Sequence, residues 1–555
     1  MGLITKYNED MWQINLDYDG ENNVASFINS NSNIHPYPAK AVPEVVNSLL
    51  LKIMELKNVR TVLDPFVGSG TVALESKYLG LDFYGSDLNP LSVLISRTKS
   101  LTVPNSRYVE KQLRKFTKHL VEEYSQNRIG TVESFYNITY WFKEANIKQL
   151  SYIKQNIDLF LRKTTKKTRE AFSLILLTAF SSTIRCSSLT RNGEFKLYRM
   201  SPADIEKHNI DSIELFKSNV EDLLDLLEHT KQAFRKDTTT GIFLENAKSL
   251  SYLENKKVDV ILTSPPYGDS QSTVAYGQFS RLSLQWMSDL LYKYLGINVN
   301  YENCDPHLLG GHKSKIGGNF HTVVSNSKIL SNLINEMNDV IQSEISVFKK
   351  SLNDLLLLAK LGQDKKFPEI KNEVLLELIQ ERIRLEVYRK LNQKGTISNK
   401  KTKKLAKQAS EIFVRELFDS NLKKRYRRIV QLEKRIPILK EILSRKIKAQ
   451  PKRINEVISF FQDLYQVILE TDRVLENGGV QAWIVGHRTV LGKVTINMVG
   501  ILQDWFESMG YAKITTLERQ YSHKRLPHHI NSTVTRLDEI KTMMQEHILV
   551  VMKRK

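Results

Sequence analysis

With 555 residues, 41% of them apolar, the chain holds more than one domain's worth of core and has the composition of a soluble globular protein. No stretch approaches roughly 18 uninterrupted apolar residues, and Met1 to Gly20 lacks the basic-then-apolar layout of a signal peptide, so membrane and secreted classes drop out and a cytoplasmic protein is expected. Two cysteines, Cys186 and Cys304, exclude a disulfide framework and a paired-cysteine zinc site and read as buried small hydrophobes, while a formal net charge of +20 implies a polyanionic partner.

Residues 1 to 33 are polar and Asn-rich and read as an arm with little core. The chain turns at His35-Pro36-Tyr37-Pro38-Ala39-Lys40, and Ala41 to Leu56 then shows helical apolar spacing. Thr61-Val62-Leu63 is a short strand that runs into Asp64-Pro65-Phe66-Val67-Gly68-Ser69-Gly70-Thr71 and a helix over Val72 to Leu79. Glycines at 68 and 70 let the backbone turn sharply and approach a ligand, and the helix N-terminus beyond offers N–H groups. A second strand, Asp82 to Ser86, ends in Asp87, 23 residues after Asp64, where a carboxylate is placed to accept from ribose hydroxyls. A dinucleotide fingerprint would need Gly-x-Gly-x-x-Gly, which is not met after Gly70, and no Walker lysine follows either.

Helical spacing recurs at 108 to 126, 143 to 162, 168 to 183 and 212 to 235, with Ser181-Ser182-Thr183-Ile184-Arg185 and Thr190-Arg191-Asn192-Gly193 reading as a polar, basic patch between helices. The sheet resumes at Gly241 to Leu244, which leads into Glu245-Asn246-Ala247. The run Val258 to Leu262 reads as a buried parallel strand closed by Thr263-Ser264-Pro265-Pro266-Tyr267. Two prolines stiffen the exit from that strand, so the Ser264 hydroxyl and the Pro265 carbonyl can accept from an exocyclic NH2 whose ring stacks on Tyr267. Gly268-Asp269-Ser270 reads as a mobile loop before an aromatic run, Tyr276 to Phe279, that enters a helix ending near Leu295.

A second insertion spans about 297 to 453, Gly-rich at first and then long, basic and helical. Residues 381 to 450 hold 22 Lys or Arg against 7 Asp or Glu, a net +15, so one eighth of the chain carries three quarters of the excess charge. Beyond it, Glu470 to Leu475 reads as a helix ended by a glycine cap at Gly478-Gly479. Val480 to Val485 then reads as a strand, 495 to 509 as a helix, 513 to 518 as a strand and His547 to Met552 as the last strand. His523, His528 and His529 flank a basic loop that reads as a phosphate contact rather than a metal site.

The loop at 64 to 71, Asp87-Leu88-Asn89-Pro90, the segment at Asn246, Ser264-Pro265-Pro266-Tyr267 and the His35-Pro36 turn resemble motifs I, II, III, IV and X of the DNA amino-methyltransferases of restriction–modification systems. The resemblance covers roughly residues 30 to 100, 240 to 295 and 460 to 555. It implies an α/β fold: a Rossmann-like, mostly parallel seven-stranded sheet with two large, mainly helical insertions. It also implies S-adenosyl-L-methionine as cofactor, held by Asp64, Pro65, Phe66, Gly68, Ser69, Gly70, Asp87 and Asn246, and Ser264, Pro265, Pro266 and Tyr267 as the catalytic group. Expected boundaries are 30–105, 236–296 and 455–555 for the catalytic domain, with insertions at 106–235 and 297–454.

The motif order does not match a standard order of the family, so the recognition region is left open between the two insertions. Serine at the head of the catalytic motif favours N4 of cytosine over N6 of adenine. An RNA methyltransferase and a DNA-binding protein with a decayed core are the alternatives from other classes. Double-stranded DNA is the expected partner, with a cognate restriction endonuclease, no membrane and no metal. Lys423, Lys424, Arg425, Arg427 and Arg428 are the candidate phosphate-binding residues.

Overall fold

The computed structural model describes residues 12, 34–38, 41–103, 105–124, 131–191, 196–234, 238–267, 276–299, 304–311, 319–363, 436–491, 493–520, 529–530, 540–541 and 545–554. Helix α1 (Pro43–Leu56) starts with Pro43 in its first turn, where the missing N–H costs nothing. Strand β1 (Thr61–Asp64) feeds a glycine loop and α2 (Thr71–Tyr78). Strand β2 (Asp82–Asp87) is followed by α3 (Pro90–Lys99), which Asn89 caps by accepting from the Leu91 N–H while Pro90 occupies the first turn.

Four long helices follow: α4 (Ser106–Tyr124), α5 (Glu144–Lys163), α6 (Lys166–Ser187) and α7 (Ser212–Ala233). The last is capped by Asp211, which accepts from the N–H groups of Ile213 and Glu214. Next come β3 (Thr240–Leu244), β4 (Val258–Thr263), α8 (Tyr276–Leu295), α9 (Lys328–Gln363) and α10 (Ile436–Val474). The chain continues through β5 (Leu475–Gly486), a small hairpin of β6 (Arg488–Val490) and β7 (Val494–Ile496), α11 (Met498–Ser508) and β8 (Ala512–Gln520). The short pair β9 (His529–Ile530) and β10 (Ile540–Lys541) precedes β11 (Gln545–Met552).

Among the described residues a seven-stranded sheet has the order β3-β2-β1-β4-β5-β11-β8. Its first five strands are parallel, and β11 runs antiparallel to both β5 and β8. The expected fold class is therefore the observed one. The chain moves outward through β2 and β3 and returns to the other side of β1 for β4, so the carboxyl ends of β1 and β4 flank a topological switch point, where open α/β sheets bind ligands.

The chain divides into two compact units, Met1–Leu333 with Glu456–Lys555, and Ile334–Asn455. The sheet and the helices α1 to α8 belong to the first. Described parts of the second are helical, formed from α9 and α10. No helix among the described residues is long and apolar enough to cross a membrane.

Two expectations are corrected. Ser181 to Arg185 is not a surface patch between helices but the interior of α6, and all five residues are buried. Helix α6 is enclosed by α3, α5, α7 and α8, and its hydroxyls are satisfied inside. Thr183 donates to the Ala179 carbonyl and accepts from Asn219, and Ser181 donates to Ser283. The second correction concerns α10, which ends at Val474 with no glycine cap at Gly478-Gly479; strand β5 has already begun, and the Gly478 N–H donates to the Lys553 carbonyl. Pairing with β4 and with the end of the chain overrides the local cap signal there. Cys304 is buried as expected, whereas Cys186 is only partly so.

Gly85, in the middle of β2, leaves the space against which the loop after β1 packs. A Cβ there would lie 2.4 Å from Val67 Cγ2 and 2.7 Å from the Asp64 carbonyl oxygen. Gly85→Ala should therefore destabilise the protein by about 1–3 kcal/mol through overpacking, read as a lower urea midpoint at unchanged slope.

Candidate functional site

Asp64 ends β1, and its Oδ1 accepts from the Phe66 N–H at 2.9 Å and from the Thr263 hydroxyl, at the end of β4, at 2.6 Å. One carboxylate thus joins the two loops that leave the switch point. It is buried, and that burial pushes its pKa up to about 7 against the two hydrogen bonds, with nearby Asp87 adding to the rise.

The loop beyond Asp64 is held on two sides. Val67 N–H donates to the Ser86 carbonyl and Gly70 N–H to the Val67 carbonyl. Gly70 has φ of +81°, and a Cβ would stand 2.8 Å from Ser96 Cβ, so both conformation and space require glycine. Asp87 Oδ2 accepts from the Gly68 N–H at 2.9 Å and the Ser92 hydroxyl at 2.8 Å, and Oδ1 accepts from the Asn89 N–H at 2.8 Å. The Leu88 N–H is a fourth donor, and two carboxylate oxygens have about four acceptor positions, so Asp87 is taken up in organising the loop. Its pKa is raised, chiefly by burial.

A pocket opens above this loop, lined by Asp64, Phe66, Gly68, Ser69, Thr71 and Ser264 among others. Ser69 Oγ and Thr71 Oγ1 are buried without a hydrogen-bond partner at the start of α2, where backbone N–H groups are unsatisfied within the helix. Orphan donors at a helix N-terminus fit an anionic group such as the carboxylate of S-adenosylmethionine. Pro65 is buried within the loop. Asn246 stands two residues beyond β3, and β3 pairs with β2 so that Leu244 is opposite Asp87. Its Oδ1 accepts from the Lys248 N–H at 3.0 Å, shaping the turn that follows β3.

Ser264 shares the pocket wall with Asp64, Phe66, Gly68 and Ser69, whereas Pro65, Gly70, Asp87, Asn246, Pro265, Pro266 and Tyr267 are not among the residues lining it. Pro265 is buried, and Pro266 and Tyr267 are half-buried. Ser264 Oγ lies 3.2 Å from Tyr267 Oη, and Tyr267 donates to Glu546 Oε1 at 3.1 Å. Glu546 Oε2 in turn accepts from Arg519 at 3.1 Å. Sequence reasoning missed Glu546 and Arg519, because they stand on the last two strands of the sheet, far along the chain from Tyr267. The strands expected at 513 to 518 and from His547 each stop one residue short of these two, so neither was legible as part of the site.

The His35-Pro36-Tyr37 segment is stitched to the same region. His35 Nε2 is 2.8 Å from Ser181 Oγ, and the Tyr37 hydroxyl accepts from Asn89 Nδ2, which also donates to Ser280 on α8. Lys40, the loop Gly268-Asp269-Ser270, the residues His523 and His528, and Lys423, Lys424, Arg425, Arg427 and Arg428 lie outside the described residues. Among the described residues no group of three or more His, Cys, Asp or Glu is placed to hold a metal ion.

Residues 46–284 match a family model described as D12 class N6 adenine-specific DNA methyltransferase. The chain is 27% identical to the type II methyltransferase M.MvaI of Kocuria varians over 549 residues, 96% of this chain and 94% of that one. It is 33% identical to the type II methyltransferase M.MjaII of Methanocaldococcus jannaschii over 66 residues, 12% of each chain. No solved structure matches.

An acid whose folded-state pKa is raised binds more protons folded than unfolded, here between about pH 4 and 7. Stability from Asp64 is therefore lost as pH rises through that window. Asp64→Asn keeps an acceptor for Phe66 and Thr263 without the charge. Urea denaturation should show it more stable than the unmodified protein by roughly 1–4 kcal/mol at pH 8 and equal to it near pH 4.

Proposed function

We propose that this DNA methyltransferase of restriction–modification type transfers a methyl group from S-adenosylmethionine to the exocyclic amine of a base flipped out of duplex DNA. The observation that carries the reading is the pocket whose wall is made jointly by the Asp64–Thr71 loop and Ser264, at the switch point of the sheet. In this reading Ser69 and Thr71 hold the carboxylate of the methionine end, Asp64 lies toward its amino group, and Asp87 and Asn246 take the ribose and adenine. The cofactor supplies an electrophilic methyl group on a sulfonium.

The protein's work is done on the amine. Its lone pair is delocalised into the base and must be localised to attack. The Ser264 hydroxyl and the Pro265 carbonyl accept the amine's hydrogens, which favours the pyramidal form and stabilises the charge that grows on nitrogen. Holding the amine about 3–3.5 Å from the methyl group supplies orientation. A base inside a duplex does not reach such a cleft, so flipping is required, and the Tyr267 ring is the stacking platform.

The matched family's description supports adenine N6 as the acceptor, ahead of the cytosine N4 expected from serine at the head of the motif. Ser264 is the observation that favours cytosine as the second reading. Incubating the protein with duplex DNA and methyl-labelled cofactor, then separating the nucleosides, decides between them. Label in N6-methyladenine supports the first and in N4-methylcytosine the second, and label in neither amine overturns both.

For the DNA, an exposed aromatic and cationic face supports a phosphate and stacking surface. Tyr136, Tyr140 and Tyr198 are 77%, 48% and 47% exposed, large values for residues that normally bury their rings. The Arg199 guanidinium lies 4.5 Å from the centre of the Tyr140 ring. This face reaches the start of α8 through Leu197, whose N–H donates to Gln278 Oε1. The +15 segment at 381–450 is the second proposed contact. Charge reversal at Arg199, or at Lys423, Lys424, Arg425, Arg427 and Arg428, should flatten the log–log salt dependence of DNA binding by about 0.9 for each phosphate no longer neutralised. Affinity for all sequences should fall alike, because phosphate contacts position without specifying.

A further inference from the structure

The hydrogen bonds around Tyr267 have a forced direction. A guanidinium only donates and a carboxylate only accepts, so the Arg519–Glu546 contact runs one way. Tyr267 has one hydroxyl proton, and the carboxylate of Glu546 takes it. At its 3.2 Å contact with Ser264 the tyrosine oxygen therefore acts as acceptor, and the proton in that contact is the serine's. Ser264 Oγ is left with lone pairs alone for whatever stands in the pocket it lines.

The sheet builds this chain of contacts. Arg519 on β8 is directly opposite Glu546 on β11, so the two charges are cross-strand neighbours, each with only 10% of its side chain exposed. On the other side of β11, Glu546 is opposite Gly486 of β5, a residue with no side chain to intervene between Glu546 and the segment that leaves β4. Strand β4 is the neighbour of β5, and Tyr267 reaches across from its end.

We propose that Glu546, held by Arg519, is a positioning residue that acts through the Tyr267 hydroxyl to make Ser264 Oγ an obligate hydrogen-bond acceptor toward the exocyclic amine. This rests on the reading of the site as an amino-methyltransferase. With Tyr267 unanchored, the serine hydroxyl is free to rotate and present its proton to the amine's lone pair, which opposes attack. The same anchor fixes the plane of the ring on which the base stacks.

The test is a double-mutant cycle on the full chain, reading kcat, KM for DNA and cofactor affinity. The unmodified protein is assayed first for transfer to an exocyclic amine, and absence of that activity counts against the underlying reading rather than against Glu546. Tyr267→Phe keeps the ring and should lower kcat about 10- to 100-fold, with cofactor affinity within twofold. Glu546→Ala should give a comparable loss, and adding it to Tyr267→Phe should cost nothing further. Glu546→Gln keeps one accepting oxygen where Tyr267 and Arg519 now use two, so it should recover only part of the rate. Additive losses in the double variant overturn the proposal, as does wild-type kcat in Tyr267→Phe. Should Glu546→Ala fail to fold, the cycle is run with Glu546→Met, which fills similar space without an accepting oxygen, and Tyr267→Phe, where additivity again overturns it.

Discussion

The site depends on a carboxylate that two loops share. Asp64 sits at the end of β1, yet its oxygen binds a backbone N–H of its own loop and a hydroxyl at the end of β4. Without that bridge the glycine loop and the Ser264 segment would be two neighbouring turns. With it they are one wall. Burying the group raises its pKa to about 7, so the connection is made at the expense of stability near neutral pH.

Around this bridge the neighbouring elements are fixed from behind. Asp87 holds the Gly68 N–H and the start of α3, and Asn89 ties that cap to Tyr37 and to Ser280 on α8. Asp305 accepts from the Gly277 N–H at 2.7 Å and so anchors the first turn of α8. At the other side, Glu546 and Arg519 anchor Tyr267. Tyr267 and Gly277 are thus each tethered by a carboxylate on another element.

Motifs whose chemistry is local were legible. Glycine at 70 was read as a sharp turn, and its φ and its distance to Ser96 require it, whereas the helix that starts at Pro90 was not read from the sequence. The parallel strands were legible as short apolar runs. The hidden part was the direction in which polar residues face. Ser181, Ser182 and Thr183 read as surface because hydroxyls usually are, but a helix packed on several sides buries whatever it carries and satisfies it internally. Likewise β5 begins before Gly478-Gly479 because its ladder with β4 and the chain end outweighs a cap.

By itself, then, the sequence determined the order of the motifs and the parallel sheet, because φ requirements and apolar period act within a few residues. Tertiary structure alone decided that Asp64 spans two loops, that Asp87 is spent largely on organising the backbone, and that Glu546 and Arg519 stand behind Tyr267. These are contacts across strands whose neighbours in space are distant in the chain. Strand order and register, not any property of the residues taken singly, bring them within hydrogen-bonding distance.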